Sequence, residues 1–210
     1  MSPLLIALLG VLLLPLFVST WRTSLLGLLG QGLLMAWIAY RMMPTPLAAS
    51  DWVTLADLVL VRGLGAPIAL YWVLRSQKTT ARSDVIPPNL LSWTFAFGVV
   101  LVSFNFAELL VPEHGDARTI VAVATSGIML GFLVLATQAG SFGQIVGALR
   151  IENGIALLDL GGERHAAPMG IQIGQILVVA ITIGFYRWYL ASLAPGPPTA
   201  PDGGVERPAL

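Results

Sequence analysis

Gly143-Gln144-Ile145-Val146-Gly147-Ala148-Leu149-Arg150-Ile151-Glu152-Asn153-Gly154-Ile155-Ala156-Leu157-Leu158-Asp159 decides how this chain is read. The stretch has the length and apolar content of a membrane-crossing helix, yet Arg150, Glu152 and Asn153 stand together near its middle. One charged side chain at the bilayer centre costs roughly 2.5–3.5 kcal/mol on insertion scales. A chain retains such residues for an internal pairing, for an ion path, or for both. Helical spacing sorts them. Glu152 and Asp159 are seven apart and share a face, roughly 10 Å from each other at a rise of 1.5 Å per residue. Arg150 and Asn153 share a different face, and Arg150 diverges from Glu152, so each side chain needs a partner on another span or water.

The rest of the chain is of the same character. Of its 210 residues 56% are hydrophobic and only 10% charged, and the mean hydropathy is +0.83. These values define a polytopic membrane protein. Eleven basic residues balance 11 acidic ones, which gives no sign of a nucleic-acid partner. The absence of cysteine excludes disulfides, iron–sulfur ligation and thiol chemistry within the chain. His114 and His165 fall in short polar loops, not inside a helix bundle where a b-type haem would need them. There is no Walker loop, no metal-ligand cluster and no nucleophile with its base. The N-terminal apolar run lacks a basic leader and a small-residue cleavage site, and reads as a retained helix.

A crossing helix needs about 20 apolar residues. Windows of that size predict an all-α protein with seven spans, at 3–19, 25–43, 52–74, 90–111, 118–137, 142–160 and 168–191. Pro44, Pro46, Pro87, Pro88, Pro112 and Pro168 fall near span boundaries, where a missing N–H does least harm. One set of loops with the C-terminal tail carries Arg22, Arg75, Lys78, Arg82, Arg187 and Arg207, against Arg41, Arg118 and Arg164 on the other. That bias predicts the N-terminus outside and the C-terminus inside. Residues 1–111 then form a four-helix region, 112–192 a three-helix region, and 193–210 a Pro- and Gly-rich disordered cytoplasmic tail.

In this topology Glu152 lies near the bilayer midplane. The third span carries Asp57 and then Arg62, and the fourth carries Asn105 and Glu108. By depth Arg62 reaches Glu152, while Asp57, Glu108 and Asp159 lie toward the outer third. They form either an outward half-channel of carboxylates or three acids solvated by headgroups. A carboxylate-lined face suits proton movement, because burial favours the neutral acid and a neighbouring cation favours the charged one. Gln172 and Gln175 on the seventh span serve as helix glue or hold a water chain. Gly127/Gly131, Gly143/Gly147 and Gly170/Gly174, one pair on each of the last three spans, predict that those spans form a compact three-helix unit. The six tryptophans lie mostly near span ends, as in an interfacial belt.

Arg150-Ile151-Glu152-Asn153-Gly154-Ile155, with the polar turn 161–165 and the closing Tyr186-Arg187-Trp188-Tyr189, resembles component E of hydrogenase-4. That family supplies membrane subunits to hydrogenases and formate-oxidising complexes related to respiratory complex I. The resemblance covers roughly the last 75 residues. Those spans are also similar to the K subunit of complex I and the C subunit of Mrp-type antiporters, three-helix proteins with an intramembrane glutamate. Two features depart from the K subunit. Its glutamate precedes the asparagine by four residues, whereas Glu152 and Asn153 are adjacent, and the seventh span has glutamines where a second glutamate would stand.

The resemblance implies a non-catalytic subunit of a redox-driven proton-translocating complex in a bacterial cytoplasmic (inner) membrane. Antiporter-like subunits and the membrane anchor of a redox arm would be its partners, alongside lipid. Ni–Fe and iron–sulfur centres would sit in those partners, with no cofactor in this chain. Glu152 would be the proton site, Asp159, Glu108 and Asp57 its path, and Arg62, Arg150, Asn153, Gln172 and Gln175 its charge-tuning or interhelical contacts. The alternatives are a stand-alone secondary transporter and a purely structural scaffold.

Overall fold

Seven helical stretches account for the regular structure in the computed structural model, which describes residues 2–17, 20–76, 90–113, 115–138, 140–161 and 168–193. They are α1 (Ser2–Phe17), α2 (Trp21–Met42), α3 (Ala49–Ser76), α4 (Leu90–Leu110), α5 (Asp116–Thr137), α6 (Ser141–Gly161) and α7 (Met169–Ser192). No strand occurs among the described residues. Five of the helices, α2, α3, α4, α5 and α7, are long and apolar enough to cross a membrane. At 16 residues α1 extends about 24 Å, short of the roughly 30 Å hydrocarbon core. At 21 residues α6 has the length, but Arg150, Glu152 and Asp159 dilute its apolar content. The polar tail expected at 193–210 lies outside the described residues, apart from Leu193.

Local chemistry sets the helix ends. Thr20 caps α2, its Oγ1 accepting the Thr23 amide at 3.2 Å, so this helix begins four residues before the apolar run that predicted it. Asp51 Oδ2 accepts the Ala48 amide at 2.9 Å and starts α3. Arg118 in the first turn of α5 donates to the Val111 and Pro112 carbonyls, tying off the end of α4.

Packing divides the bundle by depth. One apolar cluster joins Leu5, Leu8 and Leu12 of α1 to Met35 and Ile38 of α2, Ile120 and Val123 of α5, and Leu157 of α6. A second gathers Trp21, Leu25 and Leu28 of α2 with Leu70 of α3, Phe142, Ile145 and Leu149 of α6, and Ile183 and Leu190 of α7. Along α2, α3 and α6 the sequence passes from one cluster to the other through a polar residue: Gln31, Arg62, and the pair Arg150 and Asn153. All four are buried. The bundle is therefore two dry layers with a polar layer between them. Both clusters draw on residues from both sides of position 111.

The glycines of α5 and α6 interlock as their spacing predicts. A Cβ on Gly131 would lie 2.6 Å from Ile151 Cγ1 and 3.0 Å from the Gly147 oxygen, and one on Gly154 would lie 2.7 Å from Ile128 Cγ1. Backbones this close gain dispersion contacts that a longer separation forfeits. The expected three-helix unit of the last three spans does not form, however. Gly170 and Gly174 face open space. Instead α7 turns Val179, Ile183 and Leu190 toward α3 and the beginning of α6. Its first half stands away from α6, and the space between them is the cavity described next.

Candidate functional site

The third helix is not uniformly α-helical. Ala49–Ala56 and Ala66–Ser76 are α, but Asp57–Gly65 is a π-helix. At 3.6 residues per turn, positions five apart would lie about 140° apart around an α-helix. In a π-helix the hydrogen bonds join residues five apart, which stacks them. Asp57 and Arg62 are five apart, and Arg62 Nε donates to Asp57 Oδ2 at 2.8 Å. Gly63 and Gly65 make the wide turns possible. A Cβ on either would come within 2.9 Å of the carbonyl oxygen five residues earlier, Leu58 and Leu60 respectively. Gly32 of α2 packs directly on Gly63, leaving no room for a Cβ there.

Arg62 thereby becomes a buried hub. Besides Asp57 it donates through Nη1 to the Glu152 backbone carbonyl and to Asn153 Oδ1, each at 3.3 Å. The sequence placed Arg62 at the depth of Glu152, and it does reach that residue, but through the carbonyl; its carboxylate bond goes to Asp57. Arg150 points elsewhere. It is 1% exposed, and Nη1 donates to the Leu12 carbonyl of α1 at 3.1 Å. Arg150 Nε has no hydrogen-bond partner among the described residues.

Between α3, α6 and α7 lies a cavity of about 780 Å3. Asp51, Thr54, Asp57 and Arg62 line it from α3, Glu152 and Asp159 from α6, and Gln172 and Gln175 from α7. It collects six of the sequence-selected residues. It runs from the end where α3 and α7 begin and α6 terminates, inward past Asp51 and Asp159, to Arg62 and Glu152. On α3 that descent is roughly 15 Å, about half a bilayer. Four carboxylates and one guanidinium are among its lining groups, so acidic residues outnumber basic ones there. Glu152 Oε2 and Asp57 Oδ1 are both buried and accept no hydrogen bond from the described residues. Further along α3 and α6, beyond Arg62 and Glu152, lie Leu70, Ile145 and Leu149 of the second apolar cluster.

Three sequence-selected residues stand outside the cavity lining. Glu108 of α4 is 62% exposed and pairs with Arg118 at 3.6 Å, so it is not brought to the carboxylates of α3 and α6. Arg150 and Asn153 lie in the polar layer behind it. Reading the sequence passed over Asp51 and Thr54, although successive steps of three, from Asp51 to Thr54 to Asp57, keep them near one helix face. It also passed over Gln31, which is 2% exposed with its Oε1 unpartnered among the described residues. Among the described residues no group of three or more His, Cys, Asp or Glu is placed to hold a metal ion.

Long apolar helices and wide apolar surfaces on α4 and α7 define an α-helical integral membrane protein. No family model, curated protein or solved structure matches the chain.

Proposed function

We propose that the chain spans the membrane seven times and is a non-catalytic subunit of a complex I-like, hydrogenase-4-type proton-translocating assembly, with Glu152 as its buried proton site. The observation that carries the reading is Glu152 Oε2, buried in an acid-lined cavity without a hydrogen bond from the described residues. Water entering past Asp51 and Asp159 would deliver protons to Asp57 and Glu152. Arg62, fixed by Asp57 and Asn153, would supply the positive charge against which Glu152 gains and loses its proton. The apolar cluster beyond Glu152 blocks leakage, so onward transfer needs either movement of the bundle or a group from a neighbouring subunit. A redox arm carrying Ni–Fe and iron–sulfur centres, its anchor and antiporter-like subunits would be those neighbours, in a bacterial inner membrane with the N-terminus outside.

One observation favours a second reading. A volume of about 780 Å3 suits a small solute as well as water, so a stand-alone secondary transporter of cationic solutes uses the same residues differently. Purification of the tagged chain from its native membrane in mild detergent, with companions identified and nickel and iron assayed, separates the two. Antiporter-like and metal-bearing companions support the subunit reading. A monodisperse, metal-free chain sinks it and leads to solute-flux assays. Within the assembly, Glu152→Gln is expected to abolish proton movement while the complex still forms. Unchanged pumping removes Glu152 from the path.

A further inference from the structure

We infer that the Tyr186 hydroxyl is the next proton carrier beyond Glu152, linking that carboxylate to the side of the membrane opposite the cavity mouth. The inference rests on the proton-site reading of Glu152 and extends it by one residue. The face that α7 turns inward changes character along its length. Gln172, Gln175 and Val179 line the cavity. Val179 also belongs to the second apolar cluster, with Ile183 and Leu190. Seven residues separate Gln172 from Val179 and Val179 from Tyr186, so all three follow one line of the helix. Tyr186 packs against that cluster, past the inner end of the cavity.

The two groups are each incomplete. Glu152 Oε2 is buried and accepts no hydrogen bond from the described residues. The Tyr186 hydroxyl forms none with them either, and Glu152 is within its electrostatic reach. An acceptor without a donor and a donor without an acceptor thus stand on adjacent helices. The segment of α3 from Ala66 to Ser76 holds this half of α7, whereas α6 touches α7 only sparsely. A small closing movement of α7 on α6 joins hydroxyl to carboxylate, which assigns the onward step to movement within the bundle.

The chemistry of the residue suits the step. Among the side chains of the cluster and those packed against it, only Tyr186 both donates and accepts a hydrogen bond; the Trp21 indole donates only. Such a group passes a proton without holding charge. The carboxyl O–H of Glu152 breaks as its proton binds the phenol oxygen, while the phenol's own O–H breaks and gives its proton to a water beyond. Glu152 is left as the carboxylate beside Arg62, and the phenol is neutral again. Tyr186 is half-buried and six residues before the end of α7 at Ser192, about 9 Å along the axis. Glu152 stands 11 residues from the start of α6 at Ser141, about 16 Å, so water from that side meets Tyr186 first.

Tyr186→Phe keeps the ring in place and removes only the hydroxyl, so a purely structural role for the ring leaves this variant like the wild type. In native membranes with the assembly intact, Tyr186→Phe is expected to slow proton movement roughly a hundredfold. The purified full chain in lipid, titrated under infrared difference spectroscopy, should show a protonated-carboxyl band that Glu152→Gln removes. Tyr186→Phe should shift that band to higher frequency, as a carboxyl does when it loses a hydrogen-bond donor. Unchanged proton movement in Tyr186→Phe, or a Glu152 band that stays where it was, overturns the inference. If Glu152→Gln still abolishes proton movement in that case, the proton-site reading survives alone. If Glu152→Gln is also without effect, both fall.

Discussion

Asp57→Asn isolates the device on which the cavity is built. Arg62 and Asp57 are only 9% and 14% exposed, and their charged atoms are 2.8 Å apart. At that distance and an effective dielectric constant of about 20 the Coulomb attraction is about 6 kcal/mol. Desolvation of the two groups offsets much of it, and removing one partner of a buried pair costs about 3–5 kcal/mol because the other charge is stranded. Glu152 is within electrostatic reach of Arg62 and takes over part of the role, which puts Asp57→Asn near the low end, about 3 kcal/mol. Arg62→Met strands Asp57 instead. That change also takes the donor from the buried Asn153 Oδ1, so the loss is of the same size, about 3 kcal/mol. The double variant removes both charges and should be less destabilised than the two single losses added together, with a coupling of about 2–3 kcal/mol. Reversible unfolding in lipid bicelles, followed for the wild type and all three variants, measures each corner of the cycle. A single-variant loss below about 0.5 kcal/mol, or strict additivity, would mean that the π-helical stacking of Asp57 on Arg62 contributes nothing.

The glycine interface offers a contrast within one motif class: Gly131→Ala must displace Ile151 and the Gly147 carbonyl and should cost about 1–3 kcal/mol, whereas Gly174→Ala meets open space and should stay within about 0.5 kcal/mol of wild type by the same unfolding assay. Gln31→Leu replaces a buried amide whose oxygen has no partner with an apolar group of similar size. It should be neutral or stabilising by up to about 1 kcal/mol, and a loss above 2 kcal/mol would reveal a hydrogen bond at that amide. Single cysteines at Thr54 and Asp159 should react with a membrane-impermeant thiol reagent added from one side only, while one at Leu149, in the apolar cluster, should not react from either. Labelling of the Leu149 position would show that the cavity runs through.

Much of this was legible in the sequence for a plain reason. Hydropathy locates helices because a helix in lipid must satisfy its own backbone, and intramembrane charges advertise themselves by their cost. The shared face of Glu152 and Asp159 followed from a seven-residue separation, and both line one cavity. Helix partners were less legible. Gly170 and Gly174 carry the same spacing as Gly127 and Gly131, but glycine spacing says that a helix permits close approach, not that a neighbour accepts it. The Arg62–Asp57 bond was hidden by the geometry of α3. Ordinary helical periodicity sets those residues on separate faces, and only the π-segment, licensed by Gly63 and Gly65, brings them together. Arg150 reaches a backbone carbonyl, an acceptor that every residue carries and that no side-chain pattern can single out.

The polar layer has a logic that stability alone does not supply. Replacing buried ion pairs by apolar residues is often neutral or stabilising, so two dry clusters meeting without Arg62, Arg150, Gln31 and Asn153 between them would make an adequate bundle. The distribution of partners argues for a further role. Arg62 is held from three directions and Arg150 is anchored to α1, so the cations are immobilised. The buried carboxylate oxygens left without partners among the described residues, on Glu152 and Asp57, both belong to residues that line the cavity. A scaffold would gain by satisfying those oxygens and closing the cavity. Fixed positive charge beside a buried, unsatisfied carboxylate that borders a cavity is what the proposed proton site requires, and in this bundle it lies between the two apolar clusters, where tolerating it costs most.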